Sequence, residues 1–468
     1  MALQFTLNGE LRQVEAVSPT TTVLDYLREN IGLIGTKEGC AEGDCGACTI
    51  VLAETVDGNT SHKAVNSCLL MVPQLAGKHV FTVEGLGGDD DLLDPVQDAM
   101  VKTDGTQCGF CTPGIIMSLH ALRQSDKPAT DAVIHDHLAG NLCRCTGYRP
   151  IVGAAREACA ATPDTSPFDI LSAFAEYSSE GQSFYAPTSI SEMADVFASN
   201  PTANLLGGGT DLGILVSKER EALKTVIHTS HVAELLEIEE TEADITFGAA
   251  VTYSAALPFI ERLFPSFATL ITRIGSVQIR NVGTIGGNIG NASPIGDTPP
   301  CLIALGATLV LYSKAGEREL PIEDFFLDYR KTALKAGEFI KAVRIPKLSA
   351  AQEFRTYKVS KRYDQDISAV IGAYRIELDG ETVSTARIAY GGMAATPKRG
   401  TVCEAALTGK TWNIETALSA SAVIGEDYQP ISDHRASKDY RLQVAGNLFQ
   451  RLYQDLSGLD QALEVVAV

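Results

Sequence analysis

The sequence predicts a multidomain α+β protein, and three observations carry that prediction. Strand and helix patterns mix before residue 86, helix patterns alone follow to residue 161, and both kinds return from about residue 185. Eight of the 11 cysteines fall before residue 146, so the amino-terminal third has a chemistry that the rest lacks. The 468 residues are long enough for roughly three domains at about 150 residues each.

The elements follow in chain order. "LQFTLNGELRQVEA" reads as a hairpin around Asn8-Gly9, a type I′ turn signal. "TTTVLDYLREN" reads as a helix with Thr21 or Thr22 as N-cap and Val23, Leu24 and Leu27 on one face. Asp94-Pro95 opens a second helix, Thr112-Pro113 a third ("GIIMSLHALR"), and Thr130 a fourth that ends before Gly140. "IVGAAREACAA" makes a fifth, so the last four form a small bundle. "ATPDTSPFD" at 161–169 has linker composition. Beyond it, short apolar runs alternate with glycine clusters to about 345, then strands flank Asp379-Gly380 and helices run through Leu452.

Composition excludes several classes. No run approaches the roughly 18 uninterrupted apolar residues of a membrane span. "MALQFTLNGELRQVEAV" alternates like a strand and lacks the basic-then-apolar order of a secretory signal. A net charge of −20 disfavours a nucleic-acid or anionic-membrane surface. An odd cysteine count without an export signal speaks against a disulfide framework and for metal or redox use, with a cytoplasmic location expected. Cys159, Cys301 and Cys403 lie far apart and read as structural.

The other cysteines fall into two groups. Cys40-x4-Cys45-x2-Cys48, followed by Cys68, is the plant-type ferredoxin spacing for a [2Fe–2S] cluster. Four thiolates and bridging sulfides need inward-turned N–H groups, and Gly39, Gly43 and Gly46 permit the positive-φ turns that aim them. Zinc ribbons favour two C-x2-C pairs instead. The second group is Cys108-x2-Cys111 with Cys143-x-Cys145, placed by an antiparallel helix pair at one end of the bundle. Alone, that set could hold zinc almost as easily as iron and sulfur. Its position after a ferredoxin-like unit favours iron and sulfur.

Two glycine-rich stretches come later, "NLLGGGTDLG" at 204–213 and "NVGTIGGNIGNASPIGD" at 281–297. Neither is a Walker loop or a G-x-G-x-x-G fingerprint. Glycine runs after apolar strands let a backbone approach a diphosphate, but taken alone they are a weak signal that tight turns explain better.

"GCAEGDCGACTI", "QCGFCTPG" and "NLCRCTGYRP" resemble the paired cluster motifs of the molybdenum hydroxylases, the xanthine dehydrogenase and aldehyde oxidase family. The resemblance implies a β-grasp ferredoxin-like domain at 1–86 and a four-helix-bundle [2Fe–2S] domain at 87–161, the latter facing a molybdopterin. After a linker at 162–184 it implies a two-part FAD-binding domain of the vanillyl-alcohol-oxidase-like type at 185–346. A carboxy-terminal flavoprotein domain follows at 352–460. Gln107 matches a family residue that approaches the pterin.

By the same resemblance, Leu205, Leu206, Gly207, Gly208, Gly209, Thr210, Asp211 and Leu212 line the flavin diphosphate. Thr284, Ile285, Gly286, Gly287 and Asn288 join them, and Asp297, Ile340 and Lys358 complete the site. Ile274 stands where mammalian members place an aromatic beside the flavin ring. Lys361, Arg362 and Asp364 border a nicotinamide entrance or a solvated surface.

Clusters and flavin on one chain, clusters first, resemble the small subunit of bacterial members; the carbon monoxide dehydrogenase branch separates these modules. The implied partner is a large molybdenum-cofactor subunit, with two copies of each chain. A purine such as hypoxanthine or xanthine is hydroxylated there, and electrons cross this chain one at a time to FAD, which passes a pair to NAD+. An aldehyde or another N-heterocycle as substrate, a free-standing NADH-oxidising iron–sulfur flavoprotein, and a zinc-bearing interaction protein are the competing readings.

Overall fold

The computed structural model describes residues 3–56, 59–87, 92–159, 168–169 and 174–458. The chain folds into two compact units, 1–232 with 275–283, and 233–274 with 284–468. This division cuts through the segment expected as one flavin domain, 185–346. Most of the "ATPDTSPFD" linker lies outside the described residues.

In the first unit, a mixed five-stranded sheet has the order Glu10–Val14, Leu3–Leu7, His79–Phe81, Thr49–Val56, Asn59–Asn66. Leu3–Leu7 pairs antiparallel with Glu10–Val14 and parallel with His79–Phe81. The hairpin turns at Asn8 and Gly9, with φ of 52° and 86°, as the sequence requires. Leu3, Phe5 and Leu7 alternate onto the core face. Thr22 caps the first helix by accepting from Asp25 N, and Val23, Leu24 and Leu27 are buried. After one turn that helix widens into π geometry over Tyr26–Ile31 and ends at Gly32, φ 83°.

The bundle helices are Pro95–Lys102, Thr112–Arg123, Asp131–Leu138 and Arg149–Ala158. Asp94 and Gln97 form a capping box on the first, and Thr130 caps the third. Cys111, not Thr112, is the N-cap of the second.

The same unit contains a four-stranded sheet ordered Glu176–Ser179, Gln182–Tyr185, Thr225–His228, Asn204–Leu206. Two of these strands occupy the stretch expected as linker, 162–184. Their hairpin turns at Glu180-Gly181, φ 53° and 75°, a pair outside the Asn-Gly and Asp-Gly signature, and flanking serines blur the alternation. Phe184, Leu206 and Val226 share one core with Leu3, Phe5 and Ile50.

The second unit holds an antiparallel sheet ordered Ile238–Glu240, Asp244–Gly248, Phe339–Pro346, Thr308–Ser313, Gly316–Pro321. Helices Tyr253–Leu263, Pro265–Ile271 and Thr298–Leu305 pack into its core. A second antiparallel sheet runs Gln352–Val359, Val370–Asp379, Thr382–Gly391, Lys398–Arg399. Ile371 and Ala373 face the first core, while Val370, Tyr374 and Ile376 face the helices Thr401–Leu407 and Lys438–Leu456. Alternation of period two thus lets one strand serve two cores. Cys301 and Cys403 are fully buried in these cores, as structural thiols should be. Among the described residues no helix is long and apolar enough to cross a membrane.

One buried histidine makes stability depend on pH. His137 is buried, and neither ring nitrogen has a hydrogen-bond partner among the described residues. Burial first, then nearby Lys127, pushes its pKa down to about 4. The unfolded chain takes up this proton near the ordinary value of about 6.5, so the contribution is harmless above that pH and costs stability as pH falls towards 4. The loss reaches about 3 kcal/mol. His137→Phe should flatten the acid limb of stability, measured by urea unfolding at pH 7 and 4.5; an identical acid loss in both proteins would refute this.

Candidate functional site

Cys40, Cys45 and Cys48 of the first group occupy the turns before strand Thr49–Val56, and Cys68 lies in the turn after strand Asn59–Asn66. Gly43 and Gly46 adopt positive φ, 84° and 68°, as expected. Gly39 does not; its place as a left-handed turn is taken by Ala41, φ 55°. Glycine is needed at 39 for clearance, because a Cβ there would lie 2.7 Å from Cys45 Sγ. The turns aim Glu42 N and Asp44 N at Cys40 Sγ, 3.4 and 3.3 Å away. Asn66 Nδ2 donates to Cys48 Sγ at 3.7 Å.

The sulfurs are grouped in two pairs. Cys48 Sγ lies 3.3 Å from Cys68 Sγ, and Cys40 hydrogen-bonds with Cys45. The bond from Cys45, against burial, pulls the Cys40 thiol down to about 5, while Cys45 is pushed up. The bond from Cys68, against burial, likewise holds the Cys48 thiol low, and the thiolate is the form that binds metal.

The second group repeats the arrangement. Helices Thr112–Arg123 and Asp131–Leu138 bring both loops together, so that Cys108 meets Cys145 and Cys111 meets Cys143. Burial, then the bond with Cys143, pushes the Cys111 thiol up to about 12. Against burial, the Thr146 hydroxyl, 3.2 Å from Cys143 Sγ, helps hold that thiol low. Four soft donors in two pairs, within a nest of N–H groups, fit a binuclear iron–sulfur group with one pair per iron. A zinc ion would take all four sulfurs around one centre.

The two groups differ in exposure. Cys48 and Cys68 are buried, whereas Cys108 and Cys145 are exposed. Phe110 and Leu142 flank the latter at 47% and 48% exposure, and Gln107 is also at the surface. Leu142 N donates to Cys45 O at 3.0 Å, which joins the two ligand loops. Leu69, next to Cys68, packs with Cys48, Cys68 and Ile214 of helix Leu212–Ser217. Ser217 Oγ donates to Ala41 O at 2.6 Å. Within this unit the order is second group, first group, glycine loop.

That loop runs from strand Asn204–Leu206 into helix Leu212–Ser217. Its glycines have packing reasons. A Cβ on Gly208 would sit 1.8 Å from Val282 O, and one on Gly213 2.3 Å from Leu69 O. Gly209 has φ +83°. Leu206 is fully buried, so only its backbone can serve a ligand. The N–H groups of Gly208, Gly209 and Thr210 have no protein acceptor among the described residues, a donor run that suits a phosphate. Flavin loss after a large substitution at Gly208 would therefore not isolate diphosphate contact from this close packing. Gly208→Ala should instead cost stability by overpacking, ~1–3 kcal/mol, read by denaturant titration; wild-type stability would refute the close approach.

In the second unit the donors of the other stretch are spent internally. Ile285 N bonds Val251 O, Gly286 N bonds Ala249 O, and Gly287 N bonds the capping Thr284 Oγ1. Ile285 is core, whereas Gly287 is exposed and Asn288 half-buried. Asn288 Oδ1 accepts from Thr298 Oγ1 at 2.6 Å. Asp297 pairs with Lys358 at 2.5 Å, both buried, and accepts from Ser368 Oγ at 2.6 Å. Ile340 and Ile274 pack on the core of this unit.

Sequence reasoning missed Ser368 and Arg273. Arg273 donates to Lys358 O at 3.2 Å and lies over the Tyr363 ring at 4.7 Å. Both are single polar residues in ordinary strand or loop text, without a spacing to flag them. Lys361 and Arg362 donate their backbone N–H groups to Asp366 at 2.9 and 3.0 Å.

Four family models match the chain. Residues 5–72 match the model of a 2Fe-2S iron-sulfur cluster binding domain, and 82–156 that of a [2Fe-2S] binding domain. Residues 176–348 match the FAD binding domain in molybdopterin dehydrogenase, and 355–456 the CO dehydrogenase flavoprotein C-terminal domain. Xanthine dehydrogenase of Emericella nidulans is 31% identical over 97% of this chain and 38% of its own length. Xanthine dehydrogenase/oxidase of Gallus gallus is 32% identical over 88% of this chain and 36% of its own. The chain thus spans little more than a third of these relatives.

Among solved structures, carbon monoxide dehydrogenase from Hydrogenophaga pseudoflava aligns with TM-score 0.55 and 29% identity, over 57% of this chain and 94% of that one. Quinoline 2-oxidoreductase from Pseudomonas putida 86 aligns with TM-score 0.54 and 28% identity, over 58% and 95%. Paired thiols on two loops, ahead of a two-part flavin module, define an iron–sulfur flavoprotein. The chain belongs to the molybdenum hydroxylase family, alongside xanthine dehydrogenase homologues.

Proposed function

We propose that this chain is the electron-carrying subunit of a xanthine dehydrogenase, joined to a large molybdenum-cofactor subunit and delivering electrons to NAD+. The observation that carries the reading is the order within the first unit, from an exposed cysteine group through a buried one to a glycine loop with unused N–H donors. When bound, two [2Fe–2S] clusters would supply one-electron steps and FAD the conversion of single electrons to a pair.

The chain's own residues bind and insulate. Cys40, Cys45, Cys48 and Cys68 hold the inner group, and Leu24 and Leu69 keep water from Cys48 and Cys68. Cys108, Cys111, Cys143 and Cys145 hold the outer group. Gln107, Phe110 and Leu142 form the rim on which the partner docks. Gly208 to Thr210 offer N–H groups to the flavin diphosphate, and Asp297 with Lys358 forms a fixed polar pair in the candidate flavin set.

Xanthine as substrate is supported by the names of the relatives at 31% and 32% identity. A second reading, the same role for another N-heterocycle, is favoured by the likeness to quinoline 2-oxidoreductase. Purification with the native partner, followed by molybdenum analysis and assays on xanthine, quinoline and an aldehyde, tests both. Xanthine-dependent NAD+ reduction by the complex is expected; a complex that turns over only another substrate would overturn the purine assignment.

A further inference from the structure

We infer that a buried hydrogen-bond network centred on Gln278 sets the contact between the two cysteine sites. Gln278, Asn141, Ser118 and Thr49 are then positioning residues for electron exchange between the groups those sites hold, an inference that rests on the iron–sulfur reading above. Among the described residues one backbone-to-backbone bond links the two ligand loops. Leu142 N–H donates to Cys45 O at 3.0 Å, and Leu142 precedes Cys143, so one ligand of each site is joined across one hydrogen bond.

The residues beside that bond are clamped. Asn141 Nδ2 donates to Gly46 O at 3.1 Å, and Thr49 Oγ1 donates to the same oxygen at 2.7 Å. Ser118 Oγ donates to Asn141 Oδ1 at 2.6 Å. Gln278 Nε2 reaches Asn141 Oδ1 at 2.9 Å, Ser118 Oγ at 3.0 Å and Thr49 Oγ1 at 3.4 Å. These four side chains are 0–1% exposed. Glycines admit the close approach: a Cβ on Gly46 would lie 2.2 Å from Gly140 O, and one on Gly114 2.0 Å from Gly46 O.

Gln278 is itself held from both sides. Its short helix, Val277–Arg280, is capped by Ser276. Arg280 pairs with Asp136 at 2.5 Å, and Asn281 Nδ2 donates to Ala64 O at 2.9 Å. The network thus ties the inner loop, the helix that begins beside Cys111, the segment before Cys143 and a stretch from the flavin-domain sequence. Adhesion alone would be met by apolar side chains, as in the cores around it. Every polar atom of these four side chains except Gln278 Oε1 has a partner among the described residues. Buried polar groups cost free energy unless their partners are in place, so such a network admits one register where an apolar contact admits several. A fixed register is what a short electron path needs, because transfer between two centres weakens steeply as their gap opens.

The test uses the full chain loaded with iron, sulfide and FAD. Gln278→Leu keeps the volume and removes the donor. Thr49→Val keeps the shape and removes the hydroxyl, while Thr49→Ser restores it. The readouts are the magnetic splitting between the two reduced centres in low-temperature EPR and their electron equilibration after pulsed reduction. Weaker splitting and equilibration slowed about 10-fold or more are expected for Gln278→Leu and Thr49→Val. Wild-type behaviour is expected for Thr49→Ser. Should Gln278→Leu not fold, the Thr49 pair carries the test. Unchanged splitting and rate in Thr49→Val, with both centres present, would overturn the inference, whether or not the melting temperature fell. A wild-type chain without two reduced iron–sulfur signals would overturn the underlying reading, and the inference with it.

Discussion

Cys45→Ser will leave the loaded chain with one reduced-cluster EPR signal instead of two, its iron lowered by about half, and its flavin still bound. Cys45 pairs with Cys40 against the clearance left by Gly39, so a shorter, harder oxygen at that point withdraws one of two donors from one iron. The second group is separate in its ligands, and its sulfurs pair among themselves. The surviving signal should therefore be the one lost in Cys143→Ser. A Cys45→Ser protein that retains both signals and full iron would show that these four cysteines do not form one site.

The second large effect concerns the chain without its partner. Flavin-loaded protein should oxidise NADH with an artificial acceptor, yet give no urate from xanthine. Its matched domains, over residues 5–72, 82–156, 176–348 and 355–456, are cluster-binding and flavoprotein domains. The outer cysteine rim is where the missing electrons would enter, and Phe110 and Leu142 stand exposed there. Adding the purified large subunit should restore xanthine-dependent NAD+ reduction. Urate formation by this chain alone would refute the proposal, as would flavin-loaded protein inert towards NADH.

Much of this was legible in the sequence, for reasons tied to particular residues. The cysteine spacings mark two groups of four, and the structure draws the sulfurs of each group into pairs, which in the second group cross from one loop to the other. Asn8-Gly9, Thr22, Asp94 and Thr130 act locally, through φ or a capping bond, so their elements could be read from a few neighbours. The strands at 176–185 were hidden because serines and Glu180-Gly181 blur both alternation and turn chemistry. Glycine runs were ambiguous in principle, since a glycine that clears Val282 O looks the same in sequence as one that faces a phosphate. Gln278 was invisible: its partners Thr49, Ser118 and Asn141 lie more than a hundred residues away, and only the fold brings them together.

On the proposed reading, one chain carries two one-electron centres and one two-electron centre. Anaerobic reductive titration of the purified, loaded chain, followed by visible absorbance, counts them directly. Uptake of about four electrons per chain is expected, one for each cluster and two for FAD. A colourless zinc protein, or uptake ending at about two electrons with full iron and flavin content, would contradict it.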